Sequence, residues 1–176
     1  STTNYSDVFF DSEHEMDIYT PVGDSLQNRP LMLYFHGGSF TAGDKTTTDC
    51  VDFCEYFSKR GYVTASVNYR LSNNLTFFLS TNAQIDAVLK SLADARAAIR
   101  FFKDSYINGN PYSIDTNAIF VGGYSAGGVI AIHHAYIDNE QELPQNIFSR
   151  LTTIGGTLDG DAGNFGFSSK INGVIN

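Results

Sequence analysis

A serine flanked by glycines lies where one apolar segment of the chain gives way to another. Residues 121–128 read Val-Gly-Gly-Tyr-Ser-Ala-Gly-Gly, so Ser125 has a glycine two positions before it and another two positions after it. This spacing predicts a turn from a β-strand into an α-helix so tight that residues 123 and 127 pack against each other, which only glycine allows without a side-chain clash. We therefore expect Ser125 at an exposed bend, with its hydroxyl directed away from the sheet.

A second glycine motif follows another apolar segment. Residues 31–40 read Leu-Met-Leu-Tyr-Phe-His-Gly-Gly-Ser-Phe, which predicts a buried strand that runs into a loop at His36. Attack on an acyl carbonyl puts negative charge on its oxygen, and that charge needs donors held roughly 2.7–3.1 Å away. The backbone amides of Gly37, Gly38 and Ala126 are the candidates for such an oxyanion hole. Taken alone, the two loop glycines are equally typical of an ordinary turn at a strand end.

Hydrophobic periodicity predicts alternating strands and helices from residue 31 onward. The predicted strands are 31–35, 62–69 and 118–121, and the predicted helices are 46–60, 83–103 and one that begins at Ser125. With right-handed crossovers, this order gives an α/β fold with a mostly parallel sheet and helices on both faces. Two further short strands, at 7–10 and 15–19, predict an antiparallel hairpin before it. Because the carboxyl ends of parallel strands meet at one edge, residues 36–38, 68–70 and Ser125 should converge on a single crevice.

These motifs, with Val-Asn-Tyr-Arg-Leu at residues 67–71, resemble those of the α/β-hydrolase superfamily over about residues 16–176. The resemblance is to esterases and lipases, close to the secreted bacterial carboxylesterases and the hormone-sensitive-lipase-like group. It implies a serine carboxylic-ester hydrolase that acts through an acyl-enzyme on Ser125, takes a small-molecule ester, needs no cofactor or metal, and is secreted or periplasmic. At Ser39 the loop departs from the pattern, because many relatives have glycine or alanine there.

The base that would activate Ser125 is not evident among the histidines. The chain has four, at positions 14, 36, 133 and 134. We expect His14 in the second short strand as a surface or structural residue and His36 as a brace for the oxyanion loop. The other two fall about 12–13 Å further along the helix that starts at Ser125, out of hydrogen-bond reach.

In the α/β-hydrolase order, the acid and the histidine follow the serine on later loops. Residues 171–176 resemble the next core strand, so we expect residues 1–176 to be a single incomplete domain, the N-terminal portion of the fold. The acid and histidine would then come from a C-terminal segment or a second chain, and this chain alone would be inactive.

The charge composition argues against two classes of binding partner. The net charge of −8 argues against nucleic acid and anionic membrane surfaces, since both reward clustered Lys and Arg. No apolar run reaches the roughly 20 residues that a membrane span requires.

Cys50 and Cys54 are four apart on one predicted helix, a spacing that rarely permits a disulfide. Carboxylates alternate at residues 159–164, but no glutamate closes the segment at the EF-hand spacing, so we expect no metal.

Aromatic residues near the predicted crevice are candidates for an acyl pocket. Phe77 and Phe78 follow the second strand and could line such a pocket with Phe40, although core packing explains them equally well. Two further functions share the motifs or the scaffold. The first is another acyl-transfer enzyme of the same fold, a peptidase or a polysaccharide deacetylase, and the second is a non-catalytic α/β-hydrolase-like binding module.

Overall fold

A mixed β-sheet with helices packed against it forms the centre of the computed structural model, which describes residues 1–23 and 25–175. The strands are β1 Thr2–Asn4, β2 Glu15–Tyr19, β3 Arg29–Phe35, β4 Val63–Val67, β5 Ile114–Gly123 and β6 Gly173–Ile175. The α-helices are α1 Thr48–Ser58, α2 Asn74–Leu79, α3 Thr81–Ile107, α4 Ala126–Tyr136 and α5 Gln145–Phe148. Short 3₁₀ helices cover Ser12–His14, Glu140–Glu142 and Ser149–Ile154.

The strands of the described residues lie in the order β1-β2-β4-β3-β5-β6. The neighbouring strands β4, β3, β5 and β6 are parallel to one another. In contrast, β1 pairs with β2, and β2 with β4, in antiparallel fashion. This arrangement confirms the predicted α/β class, with a mostly parallel sheet preceded by an antiparallel hairpin.

Helices cover both faces of the sheet. Successive side chains of a strand point to opposite sides, so each strand contributes to both contacts. On one face, Tyr34 of β3 stacks on Phe53 of α1 with a ring-centroid distance of 4.2 Å. On the other face, Leu33 lies in a core cluster with Ile99 of α3 and Ile130 of α4. The helices thus bury the apolar strands that end at the crevice.

The predicted strand at residues 7–10 is wrong. The hairpin forms instead from β1, in which Thr2 pairs with Asp17. The hydroxyl of Ser6 accepts hydrogen bonds from the amides of Val8 and Phe9, at 3.1 and 2.9 Å, and turns the backbone away from an extended course. His14 lies at the end of a 3₁₀ helix just before β2, not within that strand, and it is buried.

The other predicted strands and helices are present and differ from the predictions in extent. α3 runs from residue 81 to 107 and β5 from 114 to 123, both longer than predicted, whereas α1 is shorter. β6 pairs with β5 in parallel, as expected for the segment at 171–176, whose last residue Asn176 lies outside the described residues. α2 was not predicted; the Asn73 side chain caps it by accepting a hydrogen bond from the Leu75 amide at 3.0 Å.

A buried ion-pair network ties the end of β4 to α3. Asp94 is fully buried and accepts hydrogen bonds from the Arg70 amide at 2.8 Å and from Arg70 Nε at 2.9 Å. Arg70 also donates to Asp161 at 2.7 Å, and His14 Nε2 lies 3.4 Å from Asp94 Oδ1. Burial alone would lower the pKa of His14, but its contacts with Asp94 and Asp11 outweigh that effect and raise the pKa.

The structure also describes the cysteine pair and the apolar character of the helices. Cys50 and Cys54 are buried free thiols in the described part of the chain, and burial raises the pKa of Cys54 to about 12. None of the helices described here combines the length and apolar character that crossing a bilayer requires.

Candidate active site

Ser125 lies at a sharp bend between β5 and α4. Its backbone has φ 55° and ψ −112°, a region that residues with a side chain rarely occupy, and its side chain is exposed. The bend is closed by hydrogen bonds from the Gly127 amide to the Tyr124 carbonyl, at 2.9 Å, and from the Val129 amide to the Ser125 carbonyl, at 3.1 Å. Strain of this kind costs about 1–3 kcal/mol and persists only where the surrounding structure enforces it.

The flanking glycines permit backbone approaches that no other residue allows. A Cβ atom on Gly127 would lie 1.9 Å from the carbonyl oxygen of Phe35, the last residue of β3. A Cβ atom on Gly123 would lie 2.4 Å from the carbonyl carbon of Gly127. The end of β3 therefore abuts the first turn of α4, which brings the loop after β3 alongside Ser125.

The glycines of that loop face the bend. A methyl group on Gly37 would lie 3.5 Å from Ser125 Cβ and 3.1 Å from the Tyr124 ring. Gly38 has φ +123°, and its carbonyl accepts hydrogen bonds from the amides of residues 41 and 42 at 3.0 and 3.1 Å. Within residues 1–23 and 25–175, the amides of Gly37, Gly38 and Ala126 donate to no acceptor.

His36 is held inside the loop by contacts with Gly37 and Tyr69. Its Nδ1 lies 2.7 Å from the Gly37 carbonyl oxygen, which can only accept, so this nitrogen carries the proton. The His36 ring stacks on Tyr69 at 4.3 Å, and the Tyr69 hydroxyl donates to the His36 carbonyl at 2.8 Å. Burial lowers the pKa of His36, which keeps the ring neutral.

The other histidines are engaged elsewhere. His133 Nδ1 donates to the Val129 carbonyl at 2.8 Å, and His134 Nε2 donates to the Ser169 carbonyl at 2.8 Å. His14 belongs to the buried network around Asp94. Among the described residues, no histidine or carboxylate forms a hydrogen bond with the Ser125 hydroxyl.

The three candidate pocket phenylalanines differ in their surroundings. Phe40 is buried, and its ring lies 6.2 Å from that of Phe77, which packs on the core. Phe78 is 65% exposed and touches Phe77 edge to face at 5.2 Å. Their role in an acyl pocket stays a prediction. In the part of the chain described here, no group of three or more His, Cys, Asp or Glu residues is arranged to hold a metal ion.

Comparison with known proteins identifies the family. Residues 16–164 match the family BD-FAE. The chain belongs to the BD-FAE family. Curated relatives of this BD-FAE member include mouse Carboxylesterase 3B, 33% identical over 118 residues, which are 65% of this chain and 19% of that protein. Esterase LipI of Mycobacterium tuberculosis is 31% identical over 134 residues, which are 76% of this chain and 37% of that protein.

The fold of the BD-FAE chain agrees with that of a solved esterase. The esterase Est2 of Thermogutta terrifontis, solved with propionate bound, has a TM-score of 0.67 and 23% identity, over 99% of this chain and 52% of that one. The BD-FAE match, together with the curated esterase relatives, confirms the predicted resemblance to the α/β-hydrolase esterases and lipases, and the solved structure confirms the fold. The BD-FAE chain spans about half the length of the solved esterase and a smaller share of the curated relatives.

Two tertiary contacts near the Gly37–Gly38 loop of this BD-FAE member were not predicted from the sequence. The segment 68–70 was expected at the crevice, but the stacking of Tyr69 on His36 was not foreseen, nor was the bond between Arg70 and Asp94. An aromatic residue directly before a basic one at a strand end was the available signal. It did not specify partners that lie more than 20 residues away in sequence.

Proposed function

We propose that this chain carries the nucleophile and the oxyanion hole of a serine carboxylic-ester hydrolase. One observation carries the proposal: Ser125 stands on a strained, exposed bend beside a loop whose amides at Gly37 and Gly38 are unpaired among the described residues. Strain at an exposed serine is typical of a site where position matters more than stability. The curated relatives named above, a carboxylesterase and an esterase, support the same activity.

In this proposal the reaction proceeds in two acyl transfers. Ser125 Oγ attacks the ester carbonyl carbon while a histidine takes its proton, and the carbonyl oxygen becomes an oxyanion. The amides of Gly37, Gly38 and Ala126 donate to that oxyanion. Collapse of the intermediate expels the alcohol, which receives the proton from the histidine and leaves an acyl-Ser125. Water then attacks the acyl carbon by the same route and releases the acid.

The histidine and its acid come, in this proposal, from residues outside this chain. The support is that each histidine of the chain already has a partner other than Ser125. A serine hydroxyl is a weak nucleophile near neutral pH without an adjacent base. The chain alone should therefore hydrolyse esters poorly, and the C-terminal remainder of the same protein, covalently joined or as a second chain, should restore turnover.

The acyl group would lie against Phe40 and Phe77, with Phe78 further towards solvent. Support comes from the position of Phe40 in the loop that carries Gly37 and Gly38, and from its packing on Phe77. A secreted or periplasmic location stays a prediction from the family resemblance.

The decisive experiment is active-site labelling of the full-length protein with a fluorophosphonate probe. We expect stoichiometric labelling of Ser125 in the wild type, none in Ser125→Ala, and wild-type labelling in Ser58→Ala, a serine on α1. Ser125→Ala should also lower kcat by about 10⁶-fold, as losses of catalytic-triad residues do. Labelling or turnover that survives in Ser125→Ala would refute the assignment. Absence of labelling in the wild type would favour a non-catalytic binding module, and faster cleavage of amides than of esters would favour a peptidase.

A further inference from the structure

The two candidate oxyanion donors of the loop after β3 belong to peptide groups whose carbonyl ends are held by side chains. The Gly37 N–H shares a peptide group with the His36 carbonyl, and the Gly38 N–H shares the next one with the Gly37 carbonyl. Both peptide groups are trans and planar, so the N–H of each points opposite to its C=O. A hydrogen bond that fixes one of these carbonyls therefore also fixes the direction of the amide on the same peptide group.

The Tyr69 hydroxyl holds the first of these peptide groups. It donates to the His36 carbonyl oxygen at 2.8 Å, and both residues are 1% exposed. Among the residues that the structure describes, no other group donates to this carbonyl. Burial raises the pKa of Tyr69, so the hydroxyl keeps its proton and remains a donor. Rotation of the peptide group would leave a buried carbonyl unpaired, which is costly.

The His36 ring holds the second peptide group. Its Nδ1–H donates to the Gly37 carbonyl at 2.7 Å. The backbone of Gly43, at φ +94°, packs against this bond, because a Cβ atom on Gly43 would lie 2.6 Å from both the nitrogen and the oxygen. The same ring stacks on Tyr69, with 4.3 Å between the centroids and 14° between the planes. One stacked aromatic pair thus holds both peptide groups.

Tyr69 is itself held from both sides. The amide of Arg70 donates to the buried Asp94 carboxylate at 2.8 Å, and the amide of Ser72 donates to the Phe40 carbonyl at 2.7 Å. The Tyr69 ring also meets that of Phe40 edge to face, with 6.3 Å between the centroids. Because Phe40 follows the two glycines of the loop closely, residues 69–72 and the loop are joined at several points.

Packing alone does not account for the hydroxyl of Tyr69. A phenylalanine differs from tyrosine only by that hydroxyl, so it would fill the same space and could stack on His36 in the same way. What the hydroxyl adds is the bond that orients the His36–Gly37 peptide group. Donors that are already oriented need not turn when the oxyanion forms, so they stabilise the transition state more than the bound substrate.

We propose that Tyr69 is a positioning residue of the oxyanion hole: its hydroxyl directs the Gly37 N–H through the His36–Gly37 peptide group, and the His36 ring on which it stacks directs the Gly38 N–H in the same way. This inference rests on the proposed function, because it assigns Tyr69 a role in stabilising the oxyanion that forms at Ser125.

The test is steady-state hydrolysis of p-nitrophenyl acetate by the full-length protein. For Tyr69→Phe we expect kcat to fall about tenfold, a part of the roughly 10²–10³-fold that loss of a whole oxyanion donor costs. Acylation and deacylation each form an oxyanion in the same place, so both steps should slow together and KM should stay unchanged.

Inhibition by a trifluoromethyl ketone measures the oxyanion hole separately from turnover. Ser125 Oγ adds to the ketone carbon while the base takes its proton, and the carbonyl oxygen becomes an oxyanion. The inhibition constant of Tyr69→Phe should therefore rise by about the same factor as kcat falls. A residue that only filled the core would not change this constant in parallel with kcat.

Thr64→Val is the matched control. It removes another fully buried hydroxyl, which donates to the Cys54 carbonyl at 3.0 Å near the start of β4. We expect Tyr69→Phe and Thr64→Val to lose similar stability towards urea, because each leaves a buried carbonyl without its donor. Thr64→Val should keep the wild-type kcat and inhibition constant. An unchanged kcat in Tyr69→Phe, a change in KM alone, or an equal loss of kcat in both variants would overturn the proposal.

Two variants of His36 provide the test if Tyr69→Phe does not fold. His36→Asn retains an N–H donor near the position of Nδ1 and should keep a higher kcat than His36→Leu, which has no donor; equal values would overturn the proposal.

Fluorophosphonate labelling of the wild type separates the two possible failures. If Ser125 is labelled and Tyr69→Phe keeps the wild-type kcat, the positioning role is wrong and the proposed function stands. If Ser125 is not labelled, the proposed function is wrong and the role of Tyr69 with it.

Discussion

Replacement of Gly127 by alanine tests the contact on which the geometry around Ser125 depends. The added Cβ would lie 1.9 Å from the Phe35 carbonyl oxygen and 2.5 Å from its carbonyl carbon. Real Cβ atoms essentially never come within 3.0 Å of another heavy atom, so β3 and α4 must separate by about 1 Å. Neither side can yield by rotating a side chain, because both contacts involve backbone.

The expected loss in the free energy of unfolding follows from this displacement. Overpacking of a core costs about 1–3 kcal/mol where side chains can adjust, so a backbone clash should lower the free energy of unfolding by about 3 kcal/mol. The same shift moves the Gly37 and Gly38 amides relative to Ser125. A misplacement of about 1 Å costs on the order of 100-fold in rate, so fluorophosphonate labelling of Gly127→Ala should slow by about that factor.

Urea denaturation and labelling kinetics of the purified full-length protein measure the two effects. Gly173→Ala in β6 is the matched control, since its Cβ would meet only the Phe120 ring, at 3.1 and 3.3 Å, and that ring can rotate. For this control we expect the free energy of unfolding to fall by less than about 1 kcal/mol and the labelling rate to stay unchanged. If Gly127→Ala matched the control in both measurements, the contact between β3 and the bend would not be what holds the site.

Two further predictions concern strain and pH. Ser125→Gly should be more stable towards urea than Ser125→Ala by about 1 kcal/mol, because only glycine relieves the strain at φ 55° and ψ −112°; equal stabilities would contradict the strain. His14 has a raised pKa in the folded state, so its ion pairs with Asp94 and Asp11 stabilise fully below about pH 6.5 and less as the pH rises through the raised value. The stability difference between wild type and His14→Gln should therefore shrink at alkaline pH, and a constant difference would refute the assignment.

The fold was predictable where local chemistry and long-range packing agree. β3 and residues 118–121 of β5 read as continuous hydrophobic runs, and β4 is buried along its whole length although Thr64 and Ser66 interrupt its apolar residues. The short elements were harder to predict, because capping and turn hydrogen bonds decide them. Ser6 redirects the segment 7–10, which had been predicted as a strand, and Asn73 begins a helix of only six residues.

The bend at Ser125 was predictable because it is local, and its meeting with the Gly37–Gly38 loop was predictable because the carboxyl ends of parallel strands lie at one edge of the sheet. Gly123 and Gly127 allow the bend by lacking a Cβ, and Gly37 and Gly38 allow the loop to approach it. The bracing of His36 by Tyr69 was not predictable, because the two residues are separated by 33 positions and meet only once β3 and β4 are paired.

The sequence by itself determined the α/β class, the bend at Ser125 and the glycine loop after β3, because each depends on backbone freedom or periodicity within a few residues. Only the tertiary structure decided which polar groups are buried together. Arg70 meets Asp94 and Asp161, and the His134 ring meets the Ser169 carbonyl, because the sheet and its helices bring these distant positions into contact and remove them from water. Whether a buried polar atom has a partner is a property of that assembled interior, and no local pattern of residues specifies it.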